Sequence, residues 1–191
     1  MEAATLEQLT ERLGAQEKQI AALQELVDDN IQTDGVSLLV FSNDLDKALS
    51  AFIIAVGAAS MGMKVNMFFT FWGTTILRKD KAKLKGKKFK EKMFNVMLPN
   101  GNKKLGLSQM HMMGMGTGMM KGMMKEQNIT SLEEMIDMVT ELEVNIQICE
   151  MTLGLMGMNM DDMVCEGNDK VCGVANYLMG AANSKVTLFI G

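Results

Sequence analysis

The chain has 191 residues, one domain of ordinary size plus an appendage, and a formal net charge of -4, which argues against a general nucleic-acid binder. Three cysteines, at 149, 165 and 172, form an odd set in a chain far larger than a disulfide-stapled miniprotein, so a reducing, cytoplasmic setting is expected. The acidic start does not read as a secretory leader, and no run reaches the roughly 18 apolar residues that a membrane-spanning helix needs.

Leu6, Leu9, Leu13, Ile20, Leu23 and Val27 fall on alternating a and d positions, with Gln16 in the remaining d site and charged residues around the outside. This predicts a helix over residues 1–30. An isolated helix of that length is marginal in water, so it is expected either to zip to copies of itself as a coiled coil, giving a homo-oligomer, or to dock on its own body. Asp28-Asp29-Asn30 and Thr33-Asp34-Gly35 read as a linker to a domain over residues 36–191.

Residues 36–41 are almost wholly apolar, as in a strand buried on both faces of a parallel sheet. Asn43 is placed to cap the next helix. Leu45, Ala48, Leu49, Phe52, Ile53, Val56 and Ser60 recur at helical spacing, and Gly62 supplies a stop. A second apolar strand over residues 64–70 completes a βαβ unit and leads into Phe71-Trp72-Gly73. The composition then changes. Residues 78–92 hold nine of the nineteen basic residues, and residues 93–125 hold ten of the 22 methionines with six glycines. This Lys-rich and Met-rich stretch, 78–125, reads as an inserted loop.

Ser131-Leu132-Glu133-Glu134 is a capping box, followed by an apolar face of Leu132, Met135, Ile136, Val139 and Leu142. Val144, Ile146 and Ile148 alternate with Asn145 and Gln147 in a short strand that ends at Cys149. Asn159-Met160-Asp161-Asp162 looks like another helix start, leading to Cys165. A short strand at 170–172, a helix over 174–183 and a buried strand over 185–190 close the chain. The sum is an open, mainly parallel α/β sheet of four or five strands with helices on both faces.

In such sheets ligands meet the carboxyl ends of the strands. Three of those ends are Ser42-Asn43-Asp44, Thr70-Phe71-Trp72 and Cys149-Glu150, so Asn43, Asp44, Thr70 and Trp72 are expected to line a pocket around Cys149. A thiol where a strand gives way to a helix meets free backbone N–H groups, which favour the thiolate, whereas Glu150 opposes it. The alternative is a buried small hydrophobe. Cys165 and Cys172 lack metal-site spacing and read as packing thiols, or as candidate resolving partners for Cys149.

No cofactor motif emerges: Gly114-Met115-Gly116-Thr117-Gly118 lacks the third glycine of a dinucleotide fingerprint and follows no strand. The single histidine, His111, lies among Met110, Met112, Met113 and Met115, which are soft-metal ligand types without a fixed spacing. Methionines also form adaptable contact surfaces. Beside a lysine-rich run they suit a partner protein or peripheral contact with an anionic membrane.

Taken together, residues 36–41 with Ser42-x-Asp44-x-Asp46-Lys47-Ala48, the run from Met67 to Gly73, Leu107-Ser108-x-Met110 and the capping box resemble the DsrE/DsrF-like family. Cys149-x-Met151-Thr152, Gly173-Val174-Ala175 and residues 186–190 extend that resemblance, which is nearest the DsrE2, peroxiredoxin-like subgroup. It implies a flavodoxin-like fold, homo-oligomers, and a cysteine that accepts sulfane sulfur as a persulfide and passes it to a partner such as a TusA-like carrier. The matching cysteine is Cys149. It implies no role for Cys165 or Cys172 and no peroxidase chemistry. A sulfur carrier or sulfurtransferase is therefore expected, against a non-enzymatic oligomeric scaffold or a thiol redox protein.

Overall fold

The structure, a computed structural model, describes residues 11–24, 33–79, 101, 104–110, 112–165 and 170–191. The lysines from 81 to 92 and His111 lie outside the described residues, as do Leu6, Leu9 and Val27 of the heptads. The chain divides into two units, Met1–Gln32 and Thr33–Gly191. In the first, residues 11–24 are helical (α1), and Leu13, Ile20 and Leu23 are exposed.

The second unit is built on five strands, β1 (Thr33–Val40), β2 (Lys64–Phe69), β3 (Asn145–Cys149), β4 (Val171–Cys172) and β5 (Ser184–Ile190). Their order is β4-β3-β2-β1-β5 and every pairing is parallel. This is the expected flavodoxin-like open α/β architecture. The helices are α2 (Leu45–Ser60), α3 (Met115–Glu126), α4 (Leu132–Glu141), α5 (Glu150–Met156) and α6 (Val174–Ala182).

Crossover direction decides which helix covers which face. The chain steps from β1 to β2, β3 and β4 in one direction, then jumps back past β1 to β5. With right-handed crossovers, the helices of the first three steps share one face and the last helix takes the other. The cores agree. Leu38, Met67, Phe69, Ile146 and Ile148 pack with residues of α2, α4 and α5, whereas Phe68, Cys149 and Cys172 pack with Tyr177 of α6. On α2, Ala48, Ala51 and Ala55 are fully buried, so small side chains let the helix lie close to the sheet, and Phe52 meets Phe69 with ring centroids 6.0 Å apart.

Several expectations are corrected. Asn43 does not cap α2: Asp44 holds the N-cap position without a side-chain cap bond, and the Asn43 amide donates to Thr75 Oγ1 at 3.1 Å. Leu142 is exposed at the C-cap of α4, although the capping box itself forms as the sequence requires. Residues 159–165 do not make a helix beyond a 3-10 turn at Met160–Asp162, because Met163 bridges Arg78 and the Val164 N–H donates to the Leu77 carbonyl at 2.7 Å. The closing strand is an edge strand rather than a buried one: among the described residues its far side has no neighbouring strand, and Val186 and Phe189 are exposed.

The Met-rich stretch is not all loop, since α3 runs through it. Methionine is a good helix former, and Gly116 is used for close approach, since a Cβ there would stand 1.9 Å from the Met110 carbonyl oxygen. Met115, Met119 and Met123, four residues apart, form an exposed stripe on this helix.

Candidate functional site

β3 is half-buried by alternation, with Ile146 and Ile148 toward the larger core and Gln147 and Cys149 toward α6. Cys149 ends the strand in extended conformation and is also the N-cap residue of α5. Its residue surface is 5% exposed, so the thiol is recessed at the carboxyl edge of the sheet rather than open, and the next two residues, Glu150 and Met151, are exposed.

Opposing influences act on this thiol. Burial disfavours the thiolate, yet hydrogen bonds from the Thr152 N–H, the Thr152 and Thr70 hydroxyls and the Met151 N–H outweigh it and hold the pKa below the usual thiol value. The donors are themselves fixed. Thr152 is fully buried, its Oγ1 lies 3.1 Å from Thr70 Oγ1, and it accepts the Phe71 N–H at 3.0 Å. Each hydroxyl carries one proton, so when one threonine donates to the other, the second donates to sulfur. The Phe71 N–H entering Thr152 Oγ1 leaves that hydroxyl's proton free for the sulfur or for Thr70. Phe71 holds this bond at φ 45, a conformation that a non-glycine residue adopts only when its surroundings impose it.

The other thiols differ. Cys172 is paired in register with Cys149 across the β3–β4 step and shares its cluster. Burial, and then the neighbouring Cys149 charge, push the Cys172 thiol up. Cys165 belongs to the larger core instead, where burial again raises its pKa. Two polar atoms close to this region, Gln147 Oε1 and the Tyr177 hydroxyl, are buried without a hydrogen-bond partner among the described residues. Tyr177 stacks on Phe68 with centroids 5.2 Å apart.

Of the four expected lining residues, Thr70 reaches the thiol. Trp72 is 46% exposed on the 3-10 helix Phe71–Leu77, whose N-cap position Thr70 holds without a side-chain cap bond. Asn43 stands behind that helix: it donates to Thr75, whose hydroxyl donates to the Trp72 carbonyl at 2.7 Å. Asp44 accepts from the Ser42 hydroxyl at 2.9 Å and pairs with Lys47. The winding reverses between β1 and β5, so Cys149 lies at the carboxyl edge but not at the reversal. Thr152 and Phe71 were missed as site residues, although a hydroxyl three residues past an N-cap cysteine is placed as in a capping box. A cavity of about 780 Å³ lies elsewhere, between α2 and the α3–α4 turn, lined by Leu45, Leu49, Met124 and Met138 among others.

The described helices include none long and apolar enough to cross a membrane. Residues 32–189 match the model of the DsrE/DsrF/DrsH-like family. The chain is 42% identical over 159 residues to the uncharacterized protein YrkE of Bacillus subtilis, covering 83% of this chain and 98% of that one. It is 32% identical over 159 residues to the sulfur carrier protein DsrE2 of Allochromatium vinosum, covering 81% and 97%.

Proposed function

The chain belongs to the DsrE/DsrF/DrsH-like family and, from that premise, we propose that it is a sulfur carrier or sulfurtransferase that holds sulfane sulfur as a persulfide on Cys149. The observation that carries the reading is the Cys149 sulfur at the carboxyl edge of the sheet, surrounded by the Thr152, Thr70 and Met151 donors, whose hydrogen bonds lower its pKa below the usual thiol value. A thiolate attacks the terminal sulfur of a polysulfide, the bond from that sulfur to the next one breaks, and the chain shortened by one sulfur leaves with the electron pair, a step that asks for nucleophile and access rather than for a base. The same donors that hold the thiolate can hold the persulfide anion, whose charge sits one sulfur further out.

Delivery needs a docking surface for an acceptor such as a TusA-like carrier, in a reducing, cytoplasmic setting. The exposed stripe of Met115, Met119 and Met123 and the exposed Trp72 supply adaptable apolar contact area, and the lysine-rich run before them adds charge for an acidic partner or an anionic membrane surface. The same stripe favours the second reading, a non-enzymatic scaffold.

Intact-mass measurement of the reduced protein after polysulfide treatment separates the two. The carrier reading expects a gain of one sulfur that maps to Cys149 and vanishes in Cys149→Ser while the circular-dichroism melt is retained. An unchanged mass in the parent protein leaves only the scaffold.

A further inference from the structure

Cys149 has a second thiol beside it. In the parallel β3–β4 step Cys149 pairs in register with Cys172, and both side chains enter the cluster that also holds Phe68 and Tyr177. Registered residues on adjacent strands project to the same side, and strands lie about 4.7–4.9 Å apart, inside the about 4.4–6.8 Å range of Cα separations that a disulfide spans. Both cysteines are free thiols. The backbone that has to adjust is slight, since β4 is a two-residue strand at the sheet edge, with a strand neighbour on one side only among the described residues. Cys165 packs in the other core and has no such position.

Resting on the persulfide reading of Cys149, we infer that Cys172 is a resolving cysteine that discharges an uncollected sulfane sulfur as hydrosulfide and parks the carrier as a Cys149–Cys172 disulfide. In this step the Cys172 sulfur attacks Cys149 Sγ, the Sγ–Sγ bond forms, and the bond from Cys149 Sγ to the outer sulfur breaks. The electron pair leaves with the outer sulfur, which takes up the Cys172 proton and departs as HS⁻. The sulfane sulfur is reduced by two electrons and the two cysteines are oxidised by one each, so no other oxidant is needed. A low-molecular-weight thiol or a dithiol protein resets the disulfide by exchange.

The two thiols are suited to different parts. Cys149, whose pKa its hydrogen bonds lower, is the thiol that loads, while Cys172, whose pKa burial and then Cys149 push up, waits and supplies the proton that the leaving sulfide needs. The persulfide then has a limited lifetime, which an acceptor has to beat.

The test loads the full reduced chain with sodium tetrasulfide, removes excess reagent, and follows non-reducing intact mass and released sulfide with time. In the parent protein the one-sulfur adduct should decay to a species two hydrogens lighter than the reduced chain, with one sulfide per chain and a linked Cys149–Cys172 peptide. In Cys172→Ser and in Cys172→Ala the adduct should persist about tenfold longer or more, because the intramolecular thiol is gone. Cys165→Ser should decay as the parent does. Equal adduct lifetimes in parent and both Cys172 variants, with no linked peptide, overturn the resolving role and leave the carrier intact. Failure to form any adduct in the parent and in both Cys172 variants overturns the carrier reading and the resolving step with it.

Discussion

Thr152 makes Cys149 more than a buried thiol. It contributes its N–H and its hydroxyl to the sulfur, it touches Thr70, and it accepts the N–H of the strained Phe71, all at a fully buried position. Replacing it with valine keeps the shape, removes the hydroxyl contributions and strands the Phe71 N–H without its acceptor. Because hydrogen bonds to the thiolate lower the pKa, their loss should raise it. The inflection in the pH–rate profile of iodoacetamide alkylation should move to higher pH in Thr152→Val, with a several-fold slower rate at neutral pH. An unmoved inflection would assign the lowered pKa to the Met151 and Thr152 N–H groups and the Thr70 hydroxyl.

The 3-10 helix Phe71–Leu77 sets the orientation of Thr70 and carries the exposed Trp72. It is seated by Gly73, whose N–H donates to the Phe41 carbonyl at 3.1 Å and whose missing side chain leaves room for the Val40 carbonyl. A Cβ at this position would stand 2.2 Å from Val40 O, a backbone atom that cannot swing aside. Gly73→Ala should therefore cost about 1–3 kcal/mol in chemical denaturation, as overpacking does, and should slow thiol loading by displacing Thr70. A variant that melts with the parent would mean that β1 and this turn separate without strain. The capping box that opens α4 is local by comparison: Ser131 Oγ accepts the Glu134 N–H and the Glu134 carboxylate accepts the Ser131 N–H at 2.8 Å, whatever the rest of the chain does.

Across the molecule the helices are unevenly shared, with α2, α4 and α5 on one face of the sheet and α6 on the other. Parallel sheets are ordinarily covered on both faces. On the α6 side Phe189 is 66% exposed, and Val174, Leu178 and Met179 of α6 are exposed as well. Together with the exposed Leu13, Ile20 and Leu23 of α1, this apolar surface supports the proposal that the protein assembles with copies of itself. Removing residues 1–32 should leave the circular-dichroism melt of the α/β unit close to that of the full chain, while light scattering reports fewer subunits per particle. An unchanged mass would assign assembly to the sheet face instead.

Periodicity along the chain was enough for α2, β2, α4, β3 and the apolar run of β1, for the capping box, and for a cysteine at the end of a strand, because each is written in neighbours no more than four residues apart. Thr33-Asp34-Gly35, which read as linker, begin β1 instead, where pairing with β5 supplies the strand that the polar residues do not announce. A two-residue strand has no period, so the in-register meeting of Cys172 with Cys149 needed the folded sheet, and Thr152 found Thr70 across 82 residues of sequence. Of the glycines in the helix at residues 115–126, which read as loop, Gly116 alone is needed for close approach, to the Met110 backbone, whereas Gly118 and Gly122 face open space. The Met151 and Thr152 donors to the Cys149 thiol lie within three residues of it, but the Thr70 hydroxyl and the Phe71 N–H that seats Thr152 reach the site only through tertiary packing.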